Sequence, residues 1–152
     1  MGNEISKEVR DRIGVEKIRK YTVTARDIHR FTQAIGEKNP RIDSDGKIIA
    51  PPLFCQVFMF EDVAVELLPA DGSPTELDVP IPAQRAVGGG SDFETLGDVK
   101  ENDVITVTSK LKDVSTKQGK SGLLYLLQVE TSFQNQKSKL VARETATYVK
   151  RI

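Results

Sequence analysis

Carboxylates are the side chains in this sequence whose type and placement point most directly to acid–base chemistry. Glu37 lies in a polar loop of sequence GEKNPRI, and Glu61, Asp62 and Glu66 interrupt an otherwise apolar stretch. A partly buried carboxylate has its pKa raised toward neutrality and can then act as a general base. Glu37 is therefore the candidate catalytic residue, and the alternative is that it is a solvated loop carboxylate.

The other reactive side chains favour structural roles. His29, the only histidine, lies beside Arg30 and one residue away from the apolar Ile28, which is typical of a surface or half-buried residue. Cys55, the only cysteine, lies among large apolar residues and is expected to be an inert core thiol. One cysteine cannot form an internal disulfide, and no Cys/His cluster has the spacing of metal ligands, so we expect a reducing compartment and neither a metal nor a cofactor.

Composition narrows the class of protein. The 152 residues, 38% hydrophobic and 29% charged, predict one globular domain over 1–152. The 22 Lys and Arg residues balance the 22 Asp and Glu residues, so no net field attracts nucleic acid or acidic lipid. No apolar stretch approaches the roughly 18 residues of a membrane span, and the polar N-terminus lacks the apolar core of a signal peptide. We therefore expect a cytoplasmic protein with neither nucleic acid nor membrane as a partner.

A helix is predicted on each side of the polar loop. Thr24 followed three residues later by Asp27 is a capping-box signature, and Gly36 suits the position just after a helix, so the first helix is predicted over 24–35. Its apolar residues recur at helical spacing: Ile28, Phe31 and Ile35. Pro51-Pro52 suits the first turn of a second helix over 51–68, which is apolar on most of its circumference and must be wrapped by other structure.

The rest of the chain predicts a sheet. A short strand is predicted over 18–23, and from Ala83 onward apolar residues recur with a period of two. Turns at 117–122 and 134–139 separate three long strands, beginning with 104–114. The apolar face of the second contains Leu123, Tyr125, Leu127, Val129 and Phe133, and that of the third contains Leu140, Ala142, Ala146 and Tyr148. This pattern predicts an α+β hot-dog fold, an antiparallel sheet wrapped around a long central helix, with an exposed edge that favours a dimer.

Three motifs occur in this order along the chain: AIGEKNP over 34–40, IIAPPLF over 48–54 and NQ-x-x-x-LVA over 135–142. Together they resemble the MaoC-like acyl dehydratases, in particular the N-terminal or non-catalytic type of that fold. The resemblance covers roughly 21–151. It implies hydration of trans-2-enoyl thioesters, or dehydration of (R)-3-hydroxyacyl thioesters, in fatty acid metabolism, with acyl-CoA or an acyl carrier protein as the handle.

This chain departs from the pattern of the active members at two places. Their pattern G-D-x-N-P-x-H supplies an Asp and a His for proton transfer, whereas Glu37 and Ile42 occupy those positions here. A His-Gly pair that helps to bind the thioester oxygen through a backbone N–H is replaced by Pro51-Pro52, and proline has no N–H. Leu53 and Phe54 could still offer theirs.

The resemblance therefore implies a lyase-family subunit that binds the acyl group without a complete dyad and pairs with a catalytic subunit. Hot-dog homodimers and heterodimers both remain open. The expected substrate contacts are Asn39, Leu53, Phe54, Gly88 and Gly89, although the glycines suit a strand bulge equally well. Two alternatives stand beside this reading: a hot-dog acyl-thioesterase that uses a carboxylate of the second helix, and an acyl-thioester-binding protein without turnover.

Overall fold

The protein is described here by a computed structural model, which covers residues 5–59, 63–68, 79–81, 85–120 and 122–151. In chain order its helices and strands are α1 (Lys7–Arg10), β1 (Glu16–Thr22), α2 (Ala25–Ala34), β2 (Arg41–Ile42), β3 (Ile48–Ile49), 3₁₀ helices at Phe54–Phe58 and Val65–Leu67, β4 (Arg85–Thr95), β5 (Val104–Gly119), β6 (Gly122–Gln134) and β7 (Leu140–Arg151).

Five of these strands form one antiparallel sheet in the order β1-β5-β6-β7-β4. Period-two patterning is the physical basis of the three long strands, because alternate side chains are buried along β5 and along much of β6 and β7. The predicted meander is confirmed, with β5 continuing to Gly119 before the turn. Pro69–Pro82, predicted as a loop, lies mostly outside the described residues.

The first predicted helix is confirmed as α2, ten residues long. Thr24 Oγ1 accepts from Asp27 N–H at 3.1 Å, which satisfies one of the free donors of the first turn. Gly36 follows the C-cap with φ of 72°, a left-handed conformation that glycine adopts without strain. Ile28, fully buried, anchors α2 in the core on the concave face of the sheet.

The long central helix predicted over 51–68 is wrong. Residues 54–58 form a 3₁₀ helix that buries Phe54, Cys55 and Phe58, and residues 65–67 form a separate 3₁₀ turn with exposed Val65 and Leu67. Its start is a tight turn, in which Phe54 N–H donates to Pro51 O at 3.2 Å and Leu53 has a φ of 70°. Ala64, in an extended conformation, separates the second turn from the first. The helix on the concave face is therefore the short α2.

The buried interior divides into two apolar clusters. The first lies beneath α2 and the 54–58 segment and includes Ile28, Phe54 and Phe133. The second lies beneath α1 and includes Val9, Leu111 and Val129.

A row of polar side chains, one from each strand, crosses the concave face of the sheet. The row consists of Arg19, Ser109, Thr131, Glu144 and Ser91. Ser109 and Thr131 are directly paired in the ladder, and so are Thr131 and Glu144. On β5 the row falls between Val107 of the first cluster and Leu111 of the second, so it lies between the two apolar clusters. No helix in the described part of the chain is long and apolar enough to cross a membrane.

Candidate functional site

The loop after α2 places the motif residues at the surface. Glu37 N–H donates to Thr32 O at 3.0 Å, while the side chains of Glu37 and Asn39 are exposed. Ile42 lies on β2, paired with Ile48 of β3, and 61% of its surface is exposed. At the positions of the Asp/His pattern the chain therefore presents one solvated carboxylate and one aliphatic side chain.

Arg41, which sequence reasoning did not single out, is the charged residue that this loop directs at the start of the 51–58 segment. Its Nη2 lies 3.3 Å from Asp98 Oδ1 and 3.4 Å from the carbonyl oxygen of Ala50. The ion pair is half-exposed, so solvent screens it and its contribution to stability is small. Its geometric effect is to tie the loop to the chain just before Pro51.

A second ion pair fixes the far side of the loop. Lys100 Nζ lies 2.7 Å from Asp43 Oδ2, and the other carboxylate oxygen of Asp43 accepts the N–H groups of Asp45 and Lys47, each at 2.9 Å. The hydrogen bond from Lys100 is the main cause that lowers the pKa of Asp43 below its ordinary value. The carboxylate therefore holds the turn between β2 and β3 in its charged form.

A cavity of about 20 Å³ lies beside Arg41, where the predicted substrate contacts Leu53 and Phe54 form part of the wall. The opposite wall includes Phe93 and Ala142. A cavity needs about 10–15 Å³ to hold one water, so this one has room for a single small group rather than for a thioester.

The backbone donors at this cavity are only partly available. Phe54 N–H is used in the turn to Pro51 O, at 3.2 Å. Leu53 N–H makes no hydrogen bond to the described residues, and the side chain of Leu53 is 44% exposed. The N–H of Leu53 can therefore donate to an incoming oxygen, and that of Cys55 likewise makes no hydrogen bond to the described residues.

Gly88 and Gly89 lie elsewhere, on the exposed strand β4. The ladder between β4 and β7 shifts register between Gly88 and Gly90, which confirms the bulge. A Cβ at Gly89 would lie 3.1 Å from Thr147 O, so glycine permits the close approach of the two strands. Neither glycine lines the cavity beside Arg41.

A larger groove opens on the other side of the 54–58 segment, beside β1. Its volume is about 390 Å³, and its walls are mainly aromatic and aliphatic, formed by Tyr21, Phe31, Val57 and Phe58, with Asp27 and Arg30 among the polar lining. The rings of Tyr21 and Phe58 stack with centroids 5.1 Å apart. Volume and lining fall within the range of small-molecule sites, at roughly 300–1,000 Å³. The alternating pattern of β1 and the helical spacing of α2 are visible in the sequence. That the two elements meet at this groove is not visible there.

Of the remaining reactive residues of the sequence analysis, only Cys55 lines one of the two cavities, the small one beside Arg41. Burial raises the pKa of the Cys55 thiol from 9.0 to about 12, as expected for an inert core thiol. His29 is exposed on α2. Glu66 lies on the exposed second 3₁₀ turn rather than on a buried helix, and Glu61 and Asp62 lie outside the described residues.

A five-stranded antiparallel sheet that holds a helix on its concave face, with a polar loop running from that helix to a buried aromatic segment, defines a hot-dog protein of the MaoC-like kind. The particular family is shown by sequence. The chain belongs to the FAS1-like dehydratases, because the family model "FAS1-like, dehydratase domain region" matches residues 1–144. The resemblance to MaoC-like dehydratases is thereby confirmed.

Solved structures show the same fold at low sequence identity. The MaoC-like dehydratase from Rhodospirillum rubrum is 17% identical, with a TM-score of 0.62 over 91% of this chain and 92% of that chain. The ChsH1-ChsH2 complex from Mycobacterium tuberculosis is 18% identical, with a TM-score of 0.70 over 95% and 89% of the two chains.

The truncated HadBC (3R-hydroxyacyl-ACP dehydratase) complex from the same organism is 14% identical, with a TM-score of 0.59 over 88% and 95%. No curated protein sequence matches significantly.

Proposed function

We propose that this chain is the non-catalytic, acyl-binding subunit of a heteromeric enoyl-thioester hydratase or 3-hydroxyacyl-thioester dehydratase. The observation that carries the proposal is Ile42, which takes the place of the histidine in the family pattern. Hydration across a conjugated double bond needs a base for water and a proton donor for the α-carbon. A hydrocarbon side chain supplies neither, so Glu37 would have to do both without a partner.

The surroundings of the loop support the same conclusion. The side chain of Glu37 is exposed to solvent, and no described residue holds it as the partner of a catalytic dyad would. The Arg41–Asp98 pair lies at the cavity that the loop adjoins, and that cavity is about 20 Å³. A thioester bound there would have to displace protein atoms before any chemistry began.

Stabilisation of an enolate is weakened as well. Of the two donors expected from the sequence, the turn at Pro51 uses the N–H of Phe54 internally, so only that of Leu53 is available. Removal of one oxyanion-hole donor costs about 10²–10³ in kcat in a well-studied hydrolase. A site that has lost the Phe54 donor and has no dyad is therefore a poor catalyst on its own.

An acyl-binding role is supported by the groove of about 390 Å³ between β1, α2 and the 54–58 segment. Its aromatic and aliphatic walls suit an acyl chain, and Arg30 at the groove carries a charge that can face the phosphates of either thioester handle. The rest of the active site would then come from a partner, in keeping with relatives whose structures are the complexes ChsH1-ChsH2 and HadBC.

The test is hydration of crotonyl-CoA and of a long-chain enoyl-CoA, followed by the absorbance of the conjugated thioester. We expect no hydration by this chain alone, and hydration when it is mixed with a hot-dog chain that carries an intact G-D-x-N-P-x-H pattern. Hydration by the isolated chain that Glu37→Gln abolishes would overturn the proposal. Silence in every mixture would favour binding without turnover.

A groove variant tests the acyl-binding part. Val57 is 38% exposed and lines the groove, so Val57→Trp fills it without disturbing the buried core. In the active mixture we expect KM for the long-chain substrate to rise while crotonyl-CoA hydration changes little. Val65→Trp, at a residue that is 81% exposed and outside the groove, is the matched control. Equal effects of both variants would contradict acyl binding in this groove.

The thioesterase alternative receives no support from the described residues. Glu66 lies on an exposed 3₁₀ turn of three residues, and Glu61 and Asp62 lie outside the described residues. No described observation favours it.

A further inference from the structure

The large groove beside β1 has two opposite charges on one of its walls. Asp27 and Arg30 both line it, and they lie three residues apart on α2, so their side chains are neighbours on the same face of that helix. The other lining residues are uncharged. The charged part of the wall therefore belongs to α2 alone, while β1 and the 54–58 segment contribute aromatic and aliphatic surface.

Both charged side chains keep hydrogen-bonding capacity for a ligand. Asp27 Oδ2 accepts from the hydroxyl of Thr24 at 2.6 Å, whereas Asp27 Oδ1 makes no hydrogen bond to the described residues. Arg30 forms neither an ion pair nor a side-chain hydrogen bond within the part of the chain that the structure describes, and it does not pair with Asp27. Asp27 is half-buried and Arg30 is exposed. The groove thus offers an acceptor and a donor next to each other.

This combination selects for a neutral group that both donates and accepts. A phosphate between the two side chains would be attracted by Arg30 and repelled by Asp27, and a cation would meet the reverse. A secondary amide carries one N–H donor and one C=O acceptor. In its trans form the two point in opposite directions, so an amide that lies between the side chains can donate to Asp27 and accept from Arg30.

The handle of a thioester substrate contains such an amide. In coenzyme A and in the prosthetic arm of an acyl carrier protein alike, a short ethylene link joins the thioester sulfur to a secondary amide. The aromatic wall that suits the acyl chain includes Tyr21 and Phe58, whose rings stack with their planes 12° apart. The charged wall lies in the same groove, as the short link between acyl group and amide requires.

We propose that Asp27 and Arg30 bind the amide of the pantetheine arm nearest the thioester, with Asp27 accepting its N–H and Arg30 donating to its C=O. This inference rests on the proposed acyl-binding function and assigns the residues that recognise the handle. The guanidinium carries several N–H donors, so a contact with the amide leaves others for a phosphate further along the arm.

The experiment compares two probes that differ in one atom. Titration calorimetry of the full chain uses the octanoyl thioester of N-acetylcysteamine, which contains the amide, and the corresponding acetoxyethyl thioester, in which an ester oxygen replaces the N–H. Both are saturated, so binding is measured without hydration. We expect the wild type to bind the amide probe about 10-fold more tightly, because a hydrogen bond to a charged acceptor is lost in the ester.

The two charged residues should respond differently to this pair of probes. Asp27→Ala removes the acceptor, so the preference for the amide should fall below about 2-fold. Arg30→Met should weaken both probes by about 5-fold and keep the preference, because both contain the carbonyl. The matched control is Arg26→Met, at an exposed residue of α2 outside the groove, and it should leave the affinity for both probes unchanged.

A second arm of the experiment separates the two sources of the amide. Octanoyl-CoA and an octanoyl group on a carrier protein are titrated into the same variants, and both should bind Asp27→Ala more weakly than the wild type. The handle that the wild type binds more tightly identifies the source. If Asp27→Ala does not fold, Asp27→Asn keeps the shape of the side chain and loses its charge, and it should lower the preference for the amide to about 3-fold.

Equal affinity of the wild type for the amide and ester probes would overturn the inference, as would a preference that survives loss of the Asp27 carboxylate. Acyl binding in the groove would still stand in either case if Val57→Trp weakened both probes. Absence of binding by both probes and both complete handles would defeat the acyl-binding role and the inference together.

Discussion

Replacement of Phe54 tests whether the 54–58 segment, rather than a long helix, anchors the core. Phe54 is 1% exposed, and its ring meets those of Phe31 and Phe58 edge to face, with centroids 5.7 and 5.5 Å away. A buried Phe→Ala change costs about 3–5 kcal/mol. Aromatic pairs are worth about 0.5–1.5 kcal/mol each beyond burial, which places this site in the upper part of that range. We therefore expect Phe54→Ala to lower the free energy of unfolding by about 4–5 kcal/mol.

Leu67→Ala is the control variant, because its expected cost differs between an exposed turn and a long buried helix. Leu67 is 68% exposed on the second 3₁₀ turn, so about one third of its side chain is buried. Full burial of leucine is worth about 1.5–3 kcal/mol, and the change should therefore cost less than about 1 kcal/mol. In a long helix surrounded by other structure, the same substitution would cost about 2–5 kcal/mol.

Urea unfolding of the isolated chain, followed by circular dichroism, measures both variants against the wild type. Equal slopes would show that the variants change stability rather than the area exposed on unfolding. A cost above 2 kcal/mol for Leu67→Ala would refute the assignment of 65–67 to an exposed turn. A cost below 1 kcal/mol for Phe54→Ala would refute the role of Phe54 as the anchor.

Three further predictions follow from the loop and the core. The Cys55 thiol, with a pKa of about 12, should resist iodoacetamide at pH 8 and react only on unfolding. Because the thiol of the unfolded chain ionises from about pH 9 while that of the folded chain does not, this group should lower the free energy of unfolding as the pH rises from 9 toward 12. Lys100→Met should raise the pKa of Asp43 toward its ordinary value, measured by NMR titration, since the hydrogen bond from Lys100 is the main cause that lowers it. Glu37→Asp with Ile42→His should give at most weak crotonyl-CoA hydration, because the N–H of Phe54 is already used in the turn to Pro51 O. Robust hydration would show that the pocket is otherwise complete.

The sequence predicts correctly those parts of the fold in which cap residues or regularly spaced apolar residues mark the elements. Thr24 and Gly36 bracket α2 with cap chemistry that is local to the chain, and the alternation along 104–151 determines which side chains face the core. The 51–68 stretch has no such stripe, since it is apolar on nearly every side. Periodicity cannot separate a helix from tight turns in that case, and the left-handed Leu53 after two prolines decides for turns.

The motif residues of the candidate site could be predicted from the sequence, but the residues that surround them could not. The replacement of His by Ile42 is visible in the sequence, whereas the Arg41–Asp98 pair joins residues 57 positions apart and depends on tertiary structure.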